Sequence, residues 1–169
     1  AATVAQLVTI NGATTGAITL NTATVTANLD DTAANLAAAF AGTVTTHTGT
    51  IGITGTNPTI SQLNTIAGAS SGVVTATISG AASDLAGLTT LATDNITVTI
   101  TGANPTVSQL NGIAGKTAGV VTATISGAAT DLAGLTTAST DNITVSITGS
   151  DAATVAQLVT INGATTGAI

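Results

Sequence analysis

The chain has 169 residues, of which 5% are charged and 1% aromatic, and seven acidic residues against one lysine give it a net charge of −6. This charge argues against a nucleic-acid partner, because a phosphate backbone would be repelled. The absence of cysteine excludes disulfides and thiolate zinc sites. No apolar run reaches the roughly 18 residues that a membrane span needs, so membrane insertion is not expected.

Repetition is the main signal in this sequence. Residues 1–18 recur unchanged as residues 152–169, which defines a period of 151 residues. Inside that period, residues 54–97 match residues 101–144 at 35 of 44 positions, an offset of 47. We therefore predict a single continuous repeat array over 1–169, with sub-repeats of about 47 residues such as 54–100 and 101–147. Because the first residue is not Met, we expect the array to continue in a longer chain.

The first part of the chain reads as a third, more diverged copy. TVAQLVTING at 3–12 aligns with TVSQLNGIAG at 106–115, and a short insertion follows near NTATVTANL at 21–29. DTAANLAAAF at 31–40 aligns with the later AASDLAGLTT. Either Asp30 or Asp31 is predicted to cap a helix that begins near Thr32.

The segment NPTISQLNTIAG at 57–68 predicts a short helix. Asn57 is the predicted N-cap and Pro58 the first helical residue, where a missing N–H costs nothing. Apolar residues then recur at spacings of three, and Gly68 is the predicted stop.

A strand, a second helix and another strand are predicted next. VVTATIS at 73–79 and ITVTIT at 96–101 alternate aliphatic residues with Thr or Ser, which is typical of strands with one buried face. AASDLAGLTTLA at 81–92 places Leu85, Leu88 and Leu91 three apart, with Asp84 in the first turn, and predicts a weaker helix.

These elements predict an α/β fold, a repeat solenoid of strand–helix units with a parallel sheet and helices on one side. Two units per copy give six per period, or about 25 residues each. The right-handed crossover rule puts the helices on one side, which leaves the Thr faces of the strands open. The alternative is an all-β parallel β-solenoid, in which the short apolar segments are turns and extra strands.

His47 is the only histidine, and it raises the question of catalysis. A histidine can act as a base for a Ser or Thr hydroxyl, but that role needs an orienting partner and a cleft. His47 instead aligns with Asp94 and Asp141 of the other copies, so we interpret it as a repeat variant. The sequence predicts no enzyme and no catalytic residue.

Four aspartates are weak candidates for a metal site. Asp94 and Asp141 are expected to form one column of carboxylates, and Asp84 and Asp131 another, so calcium between layers is conceivable. Neither the glycine–aspartate nonapeptide of calcium-binding β-rolls nor an EF-hand loop is present. We favour turn hydrogen bonds for Asp94 and Asp141, and we expect no cofactor other than this calcium.

Hydroxyl rows such as TVTIT at 97–101 have two interpretations. They could form a lattice like that of ice-binding solenoids, or they could only keep an exposed strand face wet. Asn95-Ile96-Thr97 and Asn142-Ile143-Thr144 also fit the N-glycosylation pattern, so surface glycans are potential partners.

The phrases DTAANLAAAF, TVAQLVTINGATTG and TDNITVSITG resemble the Ala/Thr-rich tandem repeats of giant bacterial cell-surface proteins. These include cyanobacterial and proteobacterial surface-layer-like, adhesin and motility-associated proteins. The resemblance covers the whole chain and implies secretion and an extracellular or cell-surface location. We expect a structural repeat of a filament or surface coat, with further copies of itself as partners. The alternative is an adhesin stalk or ligand-binding module of a giant secreted protein.

Overall fold

Short strands and helices alternate along residues 1–55 and 57–169, which the computed structural model describes. The strands within these residues are β1 Leu29–Thr32, β2 Ile51–Thr54, β3 Val74–Gly80, β4 Asn95–Ile100, β5 Val121–Gly127 and β6 Asn142–Ile147. The helices are α1 Val4–Gly12, α2 Thr22–Val25, α3 Ala33–Ala39, α4 Ile60–Gly68, α5 Ala82–Leu85, α6 Val107–Ala114, α7 Ala129–Leu132 and α8 Val155–Gly163.

The described strands form one open, six-stranded sheet in the order β1-β2-β3-β4-β5-β6, and every pairing is parallel. Neighbours in the chain are therefore neighbours in the sheet, and each connection must cross back before the next strand begins. The predicted α/β class and the parallel sheet are confirmed. The helix-free alternative is wrong, because helices lie between the strands.

One face of each long strand is buried and the other is exposed. In β3, Val74, Ala76 and Ile78 belong to the core, whereas Thr75 and Thr77 face solvent. The same alternation holds in β4, where the buried residues are Ile96, Val98 and Ile100. The buried strand residues share one apolar cluster with Leu63 and Ile66 of α4 and their counterparts in α6. The period of two in the sequence thus separates an aliphatic face from a hydroxyl face, as predicted.

The register shows that successive copies are staggered. Paired residues are 20 positions apart between β3 and β4, as in Thr75 with Asn95, and 23 apart between β4 and β5, as in Val98 with Val121. The two steps together cover 43 residues, which is four fewer than the 47-residue copy. The shift is even, so aliphatic residues stay on the buried face, which an odd shift would reverse. A shift of four residues is roughly 13 Å along the strands, whereas a step of two strands is about 10 Å across the sheet. Equivalent residues therefore follow an oblique line across the sheet.

The start of α4 corrects the predicted cap. Thr59 is the N-cap: its hydroxyl accepts the Gln62 N–H at 3.2 Å, and Gln62 Oε1 accepts the Thr59 N–H at 2.9 Å. The prediction of Asn57 as the cap was wrong, because its side chain is used elsewhere. Asn57 Nδ2 donates to the Ser79 carbonyl and Oδ1 accepts the Ser79 N–H, which ties this loop to β3.

In the sub-repeat 54–100 the second helix is shorter than predicted. It is the single turn α5, after which Leu88 is buried and Leu91 is exposed. Gly87 and the threonines that follow have low helix propensity, so nothing extends the turn. In the diverged copy the cap of α3 is Thr32, and Asp31 supports it by accepting the Thr32 N–H at 2.7 Å.

No helix in the described part of the chain is long and apolar enough to cross a membrane.

Candidate assembly interface

The two identical segments, 1–18 and 152–169, have the same local structure. Each contains a nine-residue helix that opens with a capping box, Thr3 with Gln6 in α1 and Thr154 with Gln157 in α8. The N-cap dihedral angles are φ −81°, ψ 159° for Thr3 and φ −76°, ψ 155° for Thr154. Because the sequence and local conformation agree, any difference between the two segments arises from their surroundings.

Segment 1–18 contacts the residues that follow it in the chain. Val4 and Leu7 of α1 are buried, and α1 packs on α3. Asn11 Nδ2 lies 2.9, 3.1 and 2.8 Å from the carbonyl oxygens of residues 38, 39 and 41 at the end of α3. Ile18 makes a parallel bridge to Val44. These are the forward contacts of the segment.

Segment 152–169 contacts the residues that precede it. Ile161 and Thr165 are buried there. Thr165 Oγ1 accepts the Ile143 N–H at 2.7 Å and lies 2.8 Å from the Ile143 carbonyl oxygen. The Thr166 N–H donates to the Asp141 carbonyl at 2.8 Å, and the Val145 N–H donates to that of Ala168 at 2.8 Å. These are the backward contacts of the segment.

The backward contacts repeat a junction found inside the chain. Strands β4 and β5 share only two register pairs, whereas β3 and β4 share six. Thr117 lies beside the short ladder, where its Oγ1 accepts the Ile96 N–H at 2.8 Å, and the Ala118 N–H donates to Asp94 O at 2.7 Å. Thr165 and Thr166 make the equivalent bonds to Ile143 and Asp141, next to β6.

Forward and backward contacts use different parts of the same 18-residue sequence. Leu7 is 2% exposed, whereas its counterpart Leu158 is 39% exposed; Ile161 is 0% exposed, whereas its counterpart Ile10 is 47% exposed. Two apolar grooves result, one beside Ile10 on α1 and one beside Leu158 on α8. Their lining residues are Ala2, Ala5, Gln6, Thr9 and Ile10 in the first, and Val155, Leu158, Val159, Asn162 and Ile169 in the second.

Asp94 and Asp141 bind backbone amides. Asp94 Oδ1 accepts the Val74 N–H of the preceding strand at 2.9 Å, and Oδ2 accepts the Leu91 N–H at 2.8 Å. Asp141 makes the equivalent bonds to the N–H groups of Val121 and Ala138, each at 2.8 Å. The turn hydrogen bonds favoured for these residues are present, and each buried carboxylate also links the start of one strand to the segment before the next strand.

Asp84 and Asp131 lie apart from those carboxylates, on the exposed side of α5 and α7. Among the described residues, no three His, Cys, Asp or Glu side chains group together as metal ligands. Within the described residues, neither the pair Asp94 and Asp141 nor the pair Asp84 and Asp131 is therefore grouped with a third side chain of this kind.

His47 occupies the repeat position of Asp94 and is buried. Neither ring nitrogen has a hydrogen-bond partner among the described residues, and the ring packs on Phe40 with centroids 5.7 Å apart. The nearby Ser70 hydroxyl lies 3.3 Å from the His47 carbonyl oxygen, not from the ring. Burial lowers the pKa of His47 from 6.5, and the nearby Ala27 carbonyl opposes this shift. The ring is thus placed as a packing group.

Asn95 and Asn142, the candidate glycosylation positions, are both exposed at the first residue of a strand.

The residues that distinguish the two ends were not predicted. The sequence shows that the segments are identical, and no buried face was assigned to either segment. The helical spacing of Val155, Leu158 and Val159 places three aliphatic side chains on one side of α8, but the identical segment 1–18 has the same spacing, so no sequence signal separates the two ends.

No family model matches the chain, and comparisons with curated proteins and with solved structures gave no match either.

Proposed function

We propose that this chain is a structural, non-catalytic repeat of an extracellular filament or cell-surface fibre, built as an α/β solenoid that continues from period to period. One observation carries the proposal: the 18-residue sequence makes forward contacts at one end of the chain and backward contacts at the other. The residues that make the forward contacts differ from those that make the backward contacts, so the two sets are compatible. A single segment could make both sets at once. It would then close one period and open the next.

Residue counts support the same arrangement. Six strand segments pair in turn along the chain, at residues 18, 44, 70, 95, 121 and 142. The repeated segment follows them, 151 residues after its first occurrence. Six layers at about 4.8 Å give roughly 29 Å per period, measured across the strands. A solenoid layer cannot bury its apolar face alone, so continuation stabilises the exposed ends.

The interlayer bonds suit a load-bearing role. Backbone ladders, the Asp94 and Asp141 carboxylates, and the side chains of Asn64 and Asn111 all connect one layer with the next. Asn64 Nδ2 donates to the Gly87 carbonyl, and Asn111 Nδ2 to that of Gly134, both at 2.8 Å. Tension along the stack would be shared by many such bonds. The resemblance to Ala/Thr-rich surface repeats supports the extracellular location.

A chain with two covalent periods tests the proposal, and the absence of cysteine makes labelling specific. Val155→Cys should react readily with a thiol reagent in the 169-residue chain, where Val155 is 78% exposed. At the junction of a two-period chain, the same residue takes the place of buried Val4, and its labelling should slow by about tenfold or more. Thr77→Cys, on the open face, should react equally in both chains.

Equal labelling of Val155→Cys in the two chains would contradict the proposal, because the second period would then not cover the first. Negative-stain imaging of the native material gives an independent check. Fibres with a regular axial repeat are expected, and compact monomers would count against a fibre.

A further inference from the structure

We propose that residues 1–18 of one molecule can take the place of residues 152–169 on strand β6 of a second molecule, joining separate chains head to tail. The partner is a second copy of this chain. This inference rests on the proposed function, since it uses the same surfaces that would join covalent periods.

The acceptor surface is the β6 seat, which we define as Thr137, Asp141, Ile143 and Val145. In the chain itself, the seat holds residues 164–168 through the Ala164 carbonyl, Thr165 and the backbone of 166 and 168, and Ile161 at the end of α8 is fully buried. Thr137 Oγ1 donates to the Ala164 carbonyl at 2.6 Å. Every group that enters the seat has an identical counterpart in residues 10–17.

Those counterparts are exposed in the 169-residue chain. Ile10, Ala13 and Thr14 are exposed in their own molecule, while Val4, Leu7 and Asn11 hold the segment to α3 from its other side. An incoming segment can therefore fill the seat and keep its forward contacts, so that the rest of the second molecule follows as the next layers. The 18-residue segment has no charged side chain, so it brings no further acidic side chain next to Asp141.

The chain's own C-terminal segment competes for the same seat. It is tethered to β6, so its effective concentration exceeds that of a segment on another molecule. Exchange should therefore be limited in the unchanged chain and favoured once the tethered segment is weakened.

Substitution at two equivalent positions isolates the exchange. Ile161→Asp places a carboxylate in a fully buried position, which expels the tethered segment and leaves the seat vacant. The N-terminal segment of this variant is intact, so it should form head-to-tail oligomers in sedimentation velocity. The double variant Ile10→Asp/Ile161→Asp has the same vacant seat but cannot fill it, and should remain monomeric.

Mixing gives the decisive measurement. The double variant has a vacant β6 seat, but its own residues 1–18 cannot bind a seat. The unchanged chain has residues 1–18 that can bind a seat, but its own seat is occupied. Native mass spectrometry of an isotope-labelled mixture should show a 1:1 complex and no longer species. The Ile10→Asp single variant, with its segment blocked, should give no complex with the double variant.

Monomeric Ile161→Asp, equal aggregation of Ile161→Asp and the double variant, or no 1:1 complex would each overturn the proposal. Equal aggregation would show that an exposed apolar edge, not the segment, drives association. If the two-period chain still protects Val155→Cys while no exchange complex forms, covalent continuation stands and exchange between molecules fails.

Discussion

Thr14 and Thr165 occupy the same place in identical sequences, yet only Thr165 is buried. Its Oγ1 accepts the N–H groups of Ile143 at 2.7 Å and Gly167 at 2.8 Å. Thr14 keeps only the local bond, from the Gly16 N–H at 3.0 Å, and faces solvent. The chain thus carries an internal control: one sequence in one conformation, placed in two environments. Substitutions made in pairs separate the effect of the environment from that of the residue.

Truncation of apolar residues should give opposite results at the two ends. Leu7→Ala should cost about 2–5 kcal/mol in the free energy of unfolding, because Leu7 is buried, whereas Leu158→Ala should cost less than about 1 kcal/mol. The order reverses one turn further on, where Ile161→Ala should be costly and Ile10→Ala mild. Urea denaturation followed by far-UV circular dichroism measures all four. Similar losses within either pair would show that burial does not differ between the segments.

The amide of Asn11 should matter where that of Asn162 does not. Asn11 Nδ2 donates to carbonyl groups at the end of α3, which the helix itself leaves unpaired. Asn11→Ala should therefore cost about 1–3 kcal/mol, since those acceptors lose their partner. Asn162→Ala should change stability by less than about 0.5 kcal/mol, as is usual for surface positions. Equal thermal shifts for the two variants would contradict the assignment.

Gly167 and Gly16 should differ because of backbone approach. A Cβ on Gly167 would collide with the carbonyl oxygen of Ile143, whereas one on Gly16 would meet only the flexible Thr14 hydroxyl, at 3.3 Å. Gly167→Ala should lower stability by about 1–3 kcal/mol or detach the segment from β6. Gly16→Ala should be nearly neutral. Hydrogen exchange of residues 164–169 provides the readout, and unchanged protection in Gly167→Ala would refute the close approach.

The Asp94 carboxylate should act as a hydrogen-bond acceptor for the fold. Asp94→Ala leaves the buried Val74 N–H and the partly buried Leu91 N–H without their acceptors and should cost about 2–4 kcal/mol. Exposed Asp84 should tolerate alanine within about 0.5 kcal/mol. Because both Asp94 oxygens already accept amides, we expect a calcium chelator to leave the thermal midpoint unchanged. A fall in that midpoint on chelation would instead support the calcium columns.

His47 should make stability depend on pH near neutrality. Its pKa is lowered in the folded chain from 6.5, so the unfolded chain binds the proton more readily. Stability is then complete above about pH 6.5 and declines as pH falls below that value, where the unfolded state is favoured by protonation. His47→Leu should remove this decline, measured as urea midpoints at pH 7.5 and 5.5. An identical decline in the variant would assign the pH dependence to other groups.

Local chemistry was enough to predict much of the fold. Alternation in VVTATIS and ITVTIT predicts strands with one aliphatic face, because successive side chains point to opposite sides of a strand. The predicted α/β class and parallel sheet follow from such strands alternating with apolar residues at helical spacing. The turn bonds of Asp94 and Asp141 were also predictable, since an aspartate before a strand accepts nearby amides.

Other features depend on contacts between layers. Asn57 is a good helix cap in isolation, but its amide matches both backbone groups of Ser79 in the next layer, and Thr59 takes the cap. The four-residue stagger is equally invisible in the sequence, because any even shift preserves the alternation of faces.

The sequence by itself determined that residues 1–18 and 152–169 adopt the same helix, because capping and helical spacing act within a few residues. Only the tertiary structure decided that Leu7 is buried and Leu158 exposed, while Ile10 is exposed and Ile161 buried. Burial depends on which layer lies alongside, and identical residues cannot encode different neighbours.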